Sequence, residues 1–377
     1  MYYLKIFYLK NKMRILLLGE YSNVHWTLAE ALKKSGHEVM VVSDGDGWKN
    51  YKRHINISYD SKFKFLLFLL RLLSDKRFRN NDIVQIISYR FLFKNKLGYL
   101  NKFVFDFLKK HNKKIVLCAF GDDYFYVDAC LNKKLAYSPI SEVDNKIDYI
   151  QEIFQVHYSR TAKNLNEYIA KQSDGIVSCM YDYYISYKEK FEYKLINIPL
   201  PIDTEKIKYN DNIYKDKLNI FLGVQKARIE WKGTDIIIDG LNIVKEKHKN
   251  LVDVNIVENV PYSEYVNLFS QSNLFFDQTH SYGQGMNGLM AMAAGKILFG
   301  GGEYEHYKLI GETENFPIVN IRSDIADIGN KTEYFIGKYN EVLEQGRKSH
   351  QYILDHHDSI KVAKKYTEYY EKLMKKC

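Results

Sequence analysis

The stretch THSYGQGMNGLMAMAAGKILFGGGEYE, Thr279–Glu305, joins a glycine-rich loop, a run of small residues and a short apolar run. Gly283 and Gly285 let the backbone approach a ligand closely. Met286, Asn287 and Gly288 then form the first turn of a predicted helix, Asn287–Ala294. Its unpaired N–H groups are natural donors to a phosphate or sugar oxygen. Ala291, Ala293, Ala294 and Gly295 allow that helix to lie close on a sheet. Lys296–Phe299 reads as a buried parallel strand. Gly300, Gly301 and Gly302 turn the chain at its end and bring Glu303 and Glu305 to the same edge. Loop, helix and strand in this order make a unit of a doubly wound α/β sheet. No acidic residue occurs between Tyr282 and Lys296.

Working outward, the same alternation fills the chain. Arg14–Leu18, Glu38–Ser43, Ile83–Ile87, Lys114–Cys118, Gly175–Ser178 and Leu195–Ile198 are apolar runs of strand length, with helices over Asn23–Ser35 and Phe103–Asn112. The polar, proline-bearing stretch after Ile198 breaks the pattern. It then restarts with strands Leu218–Leu222, Val252–Val257, Leu274–Phe276 and Ile318–Ile321, and helices Thr234–Glu246 and Tyr262–Ser270. The tail is helical from Tyr334. The expected organisation is an N-terminal Rossmann-like domain over 1–200, with 1–12 as an extension before Met13. A linker follows over 201–216, then a second Rossmann-like domain over 217–360. A final helix over 361–377 is placed to pack back on the first domain.

At 377 residues with 46% hydrophobic and 27% charged residues, the chain has the balance of a globular protein with ample core. The four cysteines form no CxxC pair and have no histidine at zinc spacing, so no metal site is expected. The N-terminal dozen is too short and too lysine-interrupted for a secretory signal. A cytoplasmic protein is the expectation, peripheral at most on the inner face of the cell membrane. Charge is unevenly placed. Residues 1–200 hold 32 Lys+Arg against 21 Asp+Glu, and residues 201–377 hold 23 against 25. The basic half suggests an anionic partner.

Three loops carry the distinctive residues. The first, Gly19 to His25, has one glycine where a dinucleotide fingerprint needs three, and Glu20 would repel a phosphate. A nicotinamide or flavin enzyme is therefore not indicated, and no Walker A sequence occurs. The second, Gly223–Asp235, supplies Lys226, Arg228 and Lys232 ahead of Gly233 and Thr234 at a helix start. Two cations beside a helix N-terminus suit a diphosphate. The third is the opening stretch.

Together these residues resemble the GT-B glycosyltransferases, in particular the large retaining family 4. The resemblance spans nearly the whole chain. Met13–Gly47 is similar to the opening strand, glycine loop and helix of the acceptor domain. Arg228 and Lys232-Gly233-Thr234 resemble the family's Arg…Lys-Gly element, which implies binding of the donor diphosphate. Ala291–Gly295 matches the AMAxG end of the donor loop, often written E-x7-E followed by AMAxG. In that pattern one glutamate contacts the donor sugar and a second binds ribose. Here those positions are Tyr282 and Met290. Both carboxylates are absent, and methionine cannot accept a ribose O–H as a carboxylate does. Glu303 and Glu305 are the candidate replacements, although they also fit the acidic pair of a helix N-terminus.

The implied activity is transfer of a sugar from a nucleotide-sugar donor to a saccharide or lipid-linked acceptor. The resemblance implies retention, no metal and no cofactor, in surface polysaccharide or glycolipid synthesis. Arg228 and Lys232 would carry catalysis. Gly233, Tyr282, Gly283, Gly285, Met286, Asn287, Met290, Glu303 and Glu305 would form the donor side. Gly19, Glu20, His25, Asp122 and Asp123 would form the acceptor side, with structural hydrogen bonding the other reading of His25. The Asp-rich turns at 44–46 and 121–123 read as turn and acceptor-site chemistry rather than a metal motif.

The absence of both glutamates keeps a catalytically degenerate sugar-binding or partner-regulating homologue in view. A GT-B epimerase would need carboxylates that the donor loop lacks. No nucleic-acid motif is present, and no nucleic-acid partner is expected. Ser61–Asn80, SKFKFLLFLLRLLSDKRFRN, is too short and too charged to span a bilayer. It suits an interfacial helix on anionic lipid, and equally a buried helix with a basic outer face.

Overall fold

A computed structural model describes residues 12–58, 62–93, 98–144, 146–258, 260 and 262–375. Residues 1–11 of the expected extension lie outside them. The first sheet is made of β1 (Arg14–Leu18), β2 (Glu38–Ser43), β3 (Ile55–Asn56), β4 (Ile83–Ile86), β5 (Lys114–Ala119), β6 (Gly175–Ser178) and β7 (Leu195–Asn197). It runs β3-β2-β1-β4-β5-β6-β7, and every pair is parallel. The second sheet holds β8 (Leu218–Gly223), β9 (Val252–Val257), β10 (Leu274–Phe276), β11 (Ile297–Gly300) and β12 (Val319–Asn320), in the order β12-β11-β10-β8-β9. It too is parallel throughout. The apolar runs thus become strands covered on both faces, as parallel sheets require.

Helices α1 (Val24–Lys34), α2 (Lys62–Ser74), α3 (Leu100–His111), α4 (Tyr124–Leu131), α5 (Pro139–Glu142), α6 (Asp148–His157), α7 (Arg160–Gln172) and α8 (Tyr181–Phe191) belong to the first half. The second half carries α9 (Ile229–Lys232), α10 (Thr234–Lys247), α11 (Tyr262–Gln271), α12 (Met286–Ala293), α13 (Tyr304–Ile310), α14 (Ile325–Glu333), α15 (Tyr339–Tyr352) and α16 (Ser359–Lys375). Two segments differ from the sequence expectation. Residues 124–172, read as unassigned chain between two strands, form α4–α7. Residues 226–232, read as a loop, form a 3-10 turn followed by α9, closed by Gly233 at φ +66°.

The polar stretch after Ile198 is irregular but anchored. Ile202 receives and gives backbone bonds at the second crossing of the chain, with His357 O (2.7 Å) and Ser359 N (2.8 Å). Asn212 is buried against Asn273. Beyond a short π-helix at Ile353–His357, α16 returns to the first sheet and packs against α1. Tyr370 Oη donates to Gln85 Oε1 at 2.6 Å, and His37 meets Thr367 at 3.1 Å. Gly175 makes this docking feasible, because a Cβ there would strike the Tyr369 hydroxyl.

Candidate functional site

In each sheet the chain order reverses beside its first strand. β8 has β9 on one side and β10 on the other, so a crevice opens beyond their carboxyl ends. The chain after β8 delivers Arg228 and Lys232, and the chain after β10 delivers Asp277 and the glycine loop. Lys232 Nζ lies 3.1 Å from Asp277 Oδ1. Asp277 Oδ2 lies 3.4 Å and 3.5 Å from where Cβ atoms would stand on Gly285 and Gly288, so the carboxylate sits beside the start of α12. Gly285 caps α12 in an extended conformation, and among the described residues no side chain accepts from the helix's first N–H groups. A lysine, an open helix N-terminus and close backbone therefore converge, which is an arrangement that accepts phosphate.

The GGG turn has a packing reason. A Cβ on Gly301 would lie 2.1 Å from Ser281 O and 2.8 Å from Gly283 O, and Gln284 Nε2 donates to Gly301 O at 2.8 Å. The turn and the glycine loop stand back to back.

Tyr282 is a structural wedge. Its ring is stacked on Tyr137 (4.8 Å, 17°) and on Tyr181 (5.3 Å, 19°), both from the first half. Its N–H donates to Asp182 Oδ1 at 3.1 Å, and its hydroxyl accepts from Ala136 N at 2.8 Å. Burial raises the Asp182 carboxyl to about 6, against the Tyr282 N–H and other donors that lower it. The two halves are thus pinned across the cleft at this tyrosine.

Glu303 is part of the same pin. It accepts from Tyr137 Oη (2.9 Å) and from Asn320, and pairs with Arg322 at 2.7 Å. Glu303 takes the N-cap position of α13 and Glu305 lies exposed in its first turn. The Glu303 carboxylate is thus bound by three protein partners. Met290 is 41% exposed, a surface position rather than a core one.

Arg228 reaches across the cleft to Asp122, at 3.4 Å, and its guanidinium stands over the Tyr149 ring. Burial raises the Asp122 carboxyl, and the Arg228 charge opposes this. Beside them a cavity of about 140 Å³ is lined by Glu142, Asp144, Ile147, Glu230, Asp235 and His280, among others. His280 Nδ1 bonds to Trp231 O at 3.1 Å. That contact makes Nδ1 the donor and leaves Nε2 a lone-pair acceptor. His280 Nε2 and Asp235 Oδ1 have no hydrogen-bond partner among the described residues.

The first-half candidates divide differently. Asp123 caps α4 by accepting from Tyr126 N and binds the Tyr187 hydroxyl, with burial raising it to about 6. Glu20 turns inward. Its oxygens accept from His25 N (3.1 Å) and Trp26 N (2.9 Å), closing the start of α1, and burial pushes it up to about 8. His25 is fully buried, with Nδ1 on Gly19 O (2.8 Å) and Nε2 3.2 Å from Gln85. Burial holds it down at about 4. Glu20, His25 and Asp123 are therefore buried groups that build their loops. Of that set only Asp122 meets the second half. Gly19 stands at φ +83° against Ile87 and Phe91.

Sequence reading missed Asp277, Asp182, Asp235 and His280. Asp277 directly follows the apolar strand Leu274–Phe276, and the pairing of β10 with β8 brings it to Lys232. Among the described residues, no cluster of three or more His, Cys, Asp or Glu is arranged to hold a metal.

No family model matches the sequence, and no curated protein matches it either. Solved structures do match. A sucrose-phosphate synthase from Thermosynechococcus elongatus is similar over 96% of this chain and 99% of its own, with TM-score 0.62 and 11% identity. The Anabaena protein HepE, solved with UDP and glucose, is similar over 96% and 100%, with TM-score 0.59 and 13% identity. This chain has the GT-B fold. A glycosyltransferase from Rickettsia africae covers 98% of this chain and 100% of its own, with TM-score 0.55 and 14% identity. In a GT-B chain the crevice at β8 and β10 faces the first sheet across the cleft that Arg228–Asp122 and Tyr282 bridge.

Proposed function

We propose that the protein transfers a sugar from a nucleotide-sugar donor to a saccharide or lipid-linked acceptor. The observation that carries this reading is the meeting of Lys232, the uncapped start of α12 and Gly285 at the β8/β10 crevice. The donor diphosphate takes that place, and Asp277 yields Lys232 to it. Lys232 and Arg228 then neutralise the charge that develops on the leaving diphosphate, together with the α12 N–H groups. Such preorganised donors are commonly the largest single contribution to catalysis. The diphosphate accepts the proton of the acceptor hydroxyl as the new glycosidic bond forms on the face that the diphosphate leaves, so configuration is retained. HepE, solved with UDP and glucose, supports a uridine donor as the first to try.

A second reading, sugar or nucleotide binding without turnover, is favoured by one observation. Tyr282 fills the position of a donor-contacting glutamate and is locked between Tyr137 and Tyr181. The experiment that separates them is release of nucleoside diphosphate from a panel of nucleotide sugars with saccharide and lipid-extract acceptors, followed by product anomeric configuration. Turnover lost in Lys232→Ala, with an α-linked product from an α-linked donor, is the expected result. Tight nucleotide binding with no turnover under any acceptor would leave the second reading standing.

A further inference from the structure

Helix α2, Lys62–Ser74, is apolar on two faces, and the protein covers only one of them. Phe68 and Leu72 point inward and are buried, the latter completely. Phe63 (68% exposed), Leu66 (53%), Leu67 (47%), Leu70 (54%) and Leu73 (39%) point outward. Their spacing, i, i+3, i+4, i+7, i+10, places all five on one stripe. Scattered exposed leucines need no explanation, but a continuous stripe of five does. The expectation of a buried helix with a basic outer face is thus corrected: the outer face is apolar, and the cations flank it.

Exposed Lys64 and Arg71 lie along one side of the stripe. Exposed Lys76 and Arg77 and half-buried Arg79 follow its end, with Asp75 the single acidic residue between Lys62 and Arg79. The neighbouring helix extends the surface. By the right-handed crossover rule α2 and α3 lie on the same side of the sheet. Arg79 stands 5.1 Å over the Phe107 ring of α3, and Phe103 and Tyr99, one and two turns earlier on the same side of α3, are 54% and 63% exposed.

We infer that this face docks on an anionic phospholipid bilayer, with the α2 stripe in the acyl–headgroup boundary and the flanking cations on lipid phosphates. Charge selects that occupant. A second copy of the chain would bring like-charged flanks together, while a nucleic acid offers nothing to cover five leucine and phenylalanine side chains. No helix among the described residues is long and apolar enough to cross a membrane, so the contact is superficial. The inference stands on α2 and α3 alone and does not depend on the sugar-transfer reading.

The test is co-sedimentation of the full chain with vesicles of phosphatidylcholine alone or with about one third phosphatidylglycerol, at low and physiological salt. Expected is binding to the anionic vesicles, at least tenfold weaker on phosphatidylcholine and weakened by salt. Leu66→Gln with Leu70→Gln loses it tenfold or more at unchanged melting temperature, because both side chains are already in solvent. Lys64→Glu with Lys76→Glu weakens it and flattens the salt dependence. No binding to anionic vesicles, or binding that the leucine pair leaves intact, overturns the inference. So does a dimer in lipid-free solution that dissociates in the leucine variant.

Discussion

Each sheet sets a glycine-bearing loop and a helix start at the carboxyl end of a strand by its crevice, after β1 in the first and after β10 in the second, and the two are used oppositely. In the first half Glu20 of the loop folds back and accepts from His25 and Trp26, so the site is filled by the chain itself. In the second half no side chain caps α12, and the carboxylate nearest to it, Asp277, pairs with Lys232 instead. One helix start is closed and neutral below about pH 8; the other is open and carries a cation. The start of α12 is thus the place proposed for the donor diphosphate, with Asp277 as the internal rival for Lys232.

The largest effect expected from breaking this contrast is on Lys232. Lys232→Ala should lower turnover by about 100-fold or more, the usual loss when one charge-stabilising donor is removed, measured as nucleoside diphosphate release at saturating donor. On the other side, Glu20→Ala leaves two buried N–H groups without partners. It should cost about 2 kcal/mol of stability in denaturant unfolding and leave nucleotide affinity unchanged.

The Glu20 site also sets a pH dependence. Its folded value near 8 lies above the ordinary 4.5. Its contribution to stability is therefore complete below about 4.5 and is lost as pH rises through 8. Glu20→Gln should remove that decline, so its stability relative to the native chain improves steadily across this window. A parallel pair of stability–pH curves would contradict the assignment.

Smaller changes sharpen the open site. Asp277→Asn removes the internal rival for Lys232 and should tighten nucleoside diphosphate binding by about tenfold, or roughly 1.4 kcal/mol, in a calorimetric titration. Met290→Glu places a carboxylate at an exposed position. It should raise affinity for a nucleoside diphosphate a few-fold, about 1 kcal/mol, with little change in melting temperature. An unchanged affinity would place the ribose elsewhere.

Much of this architecture was legible in the sequence. Parallel strands buried on both faces read as unbroken apolar runs, and β1, β2, β6, β9 and β10 fall where those runs lie. The start of α12 was visible because glycines and small residues mark it. What stayed hidden depends on side-chain direction or on distant partners. Glu20 looks the same in one dimension whether it turns toward a ligand or back onto its own helix. His25 is one turn from the solvent in sequence terms, and its core position follows from Gln85 and the returning α16. Asp277 gains meaning only through strand order, and Tyr282 only through Tyr137 and Tyr181, more than 100 residues away. For α2 the sequence left an interfacial helix and a buried one equally open, because periodicity cannot say which apolar face the sheet covers.

The α12 site, unlike the α1 site, is proposed to take a diphosphate. Thermal unfolding of the native chain, Lys232→Ala and Glu20→Gln with a panel of nucleoside diphosphates tests it most directly, since a ligand bound only by the folded state raises its stability by mass action. The account predicts a clear rise with at least one nucleotide, abolished in Lys232→Ala and retained in Glu20→Gln. A folded native chain that no diphosphate stabilises, or a rise that survives in Lys232→Ala, would contradict it.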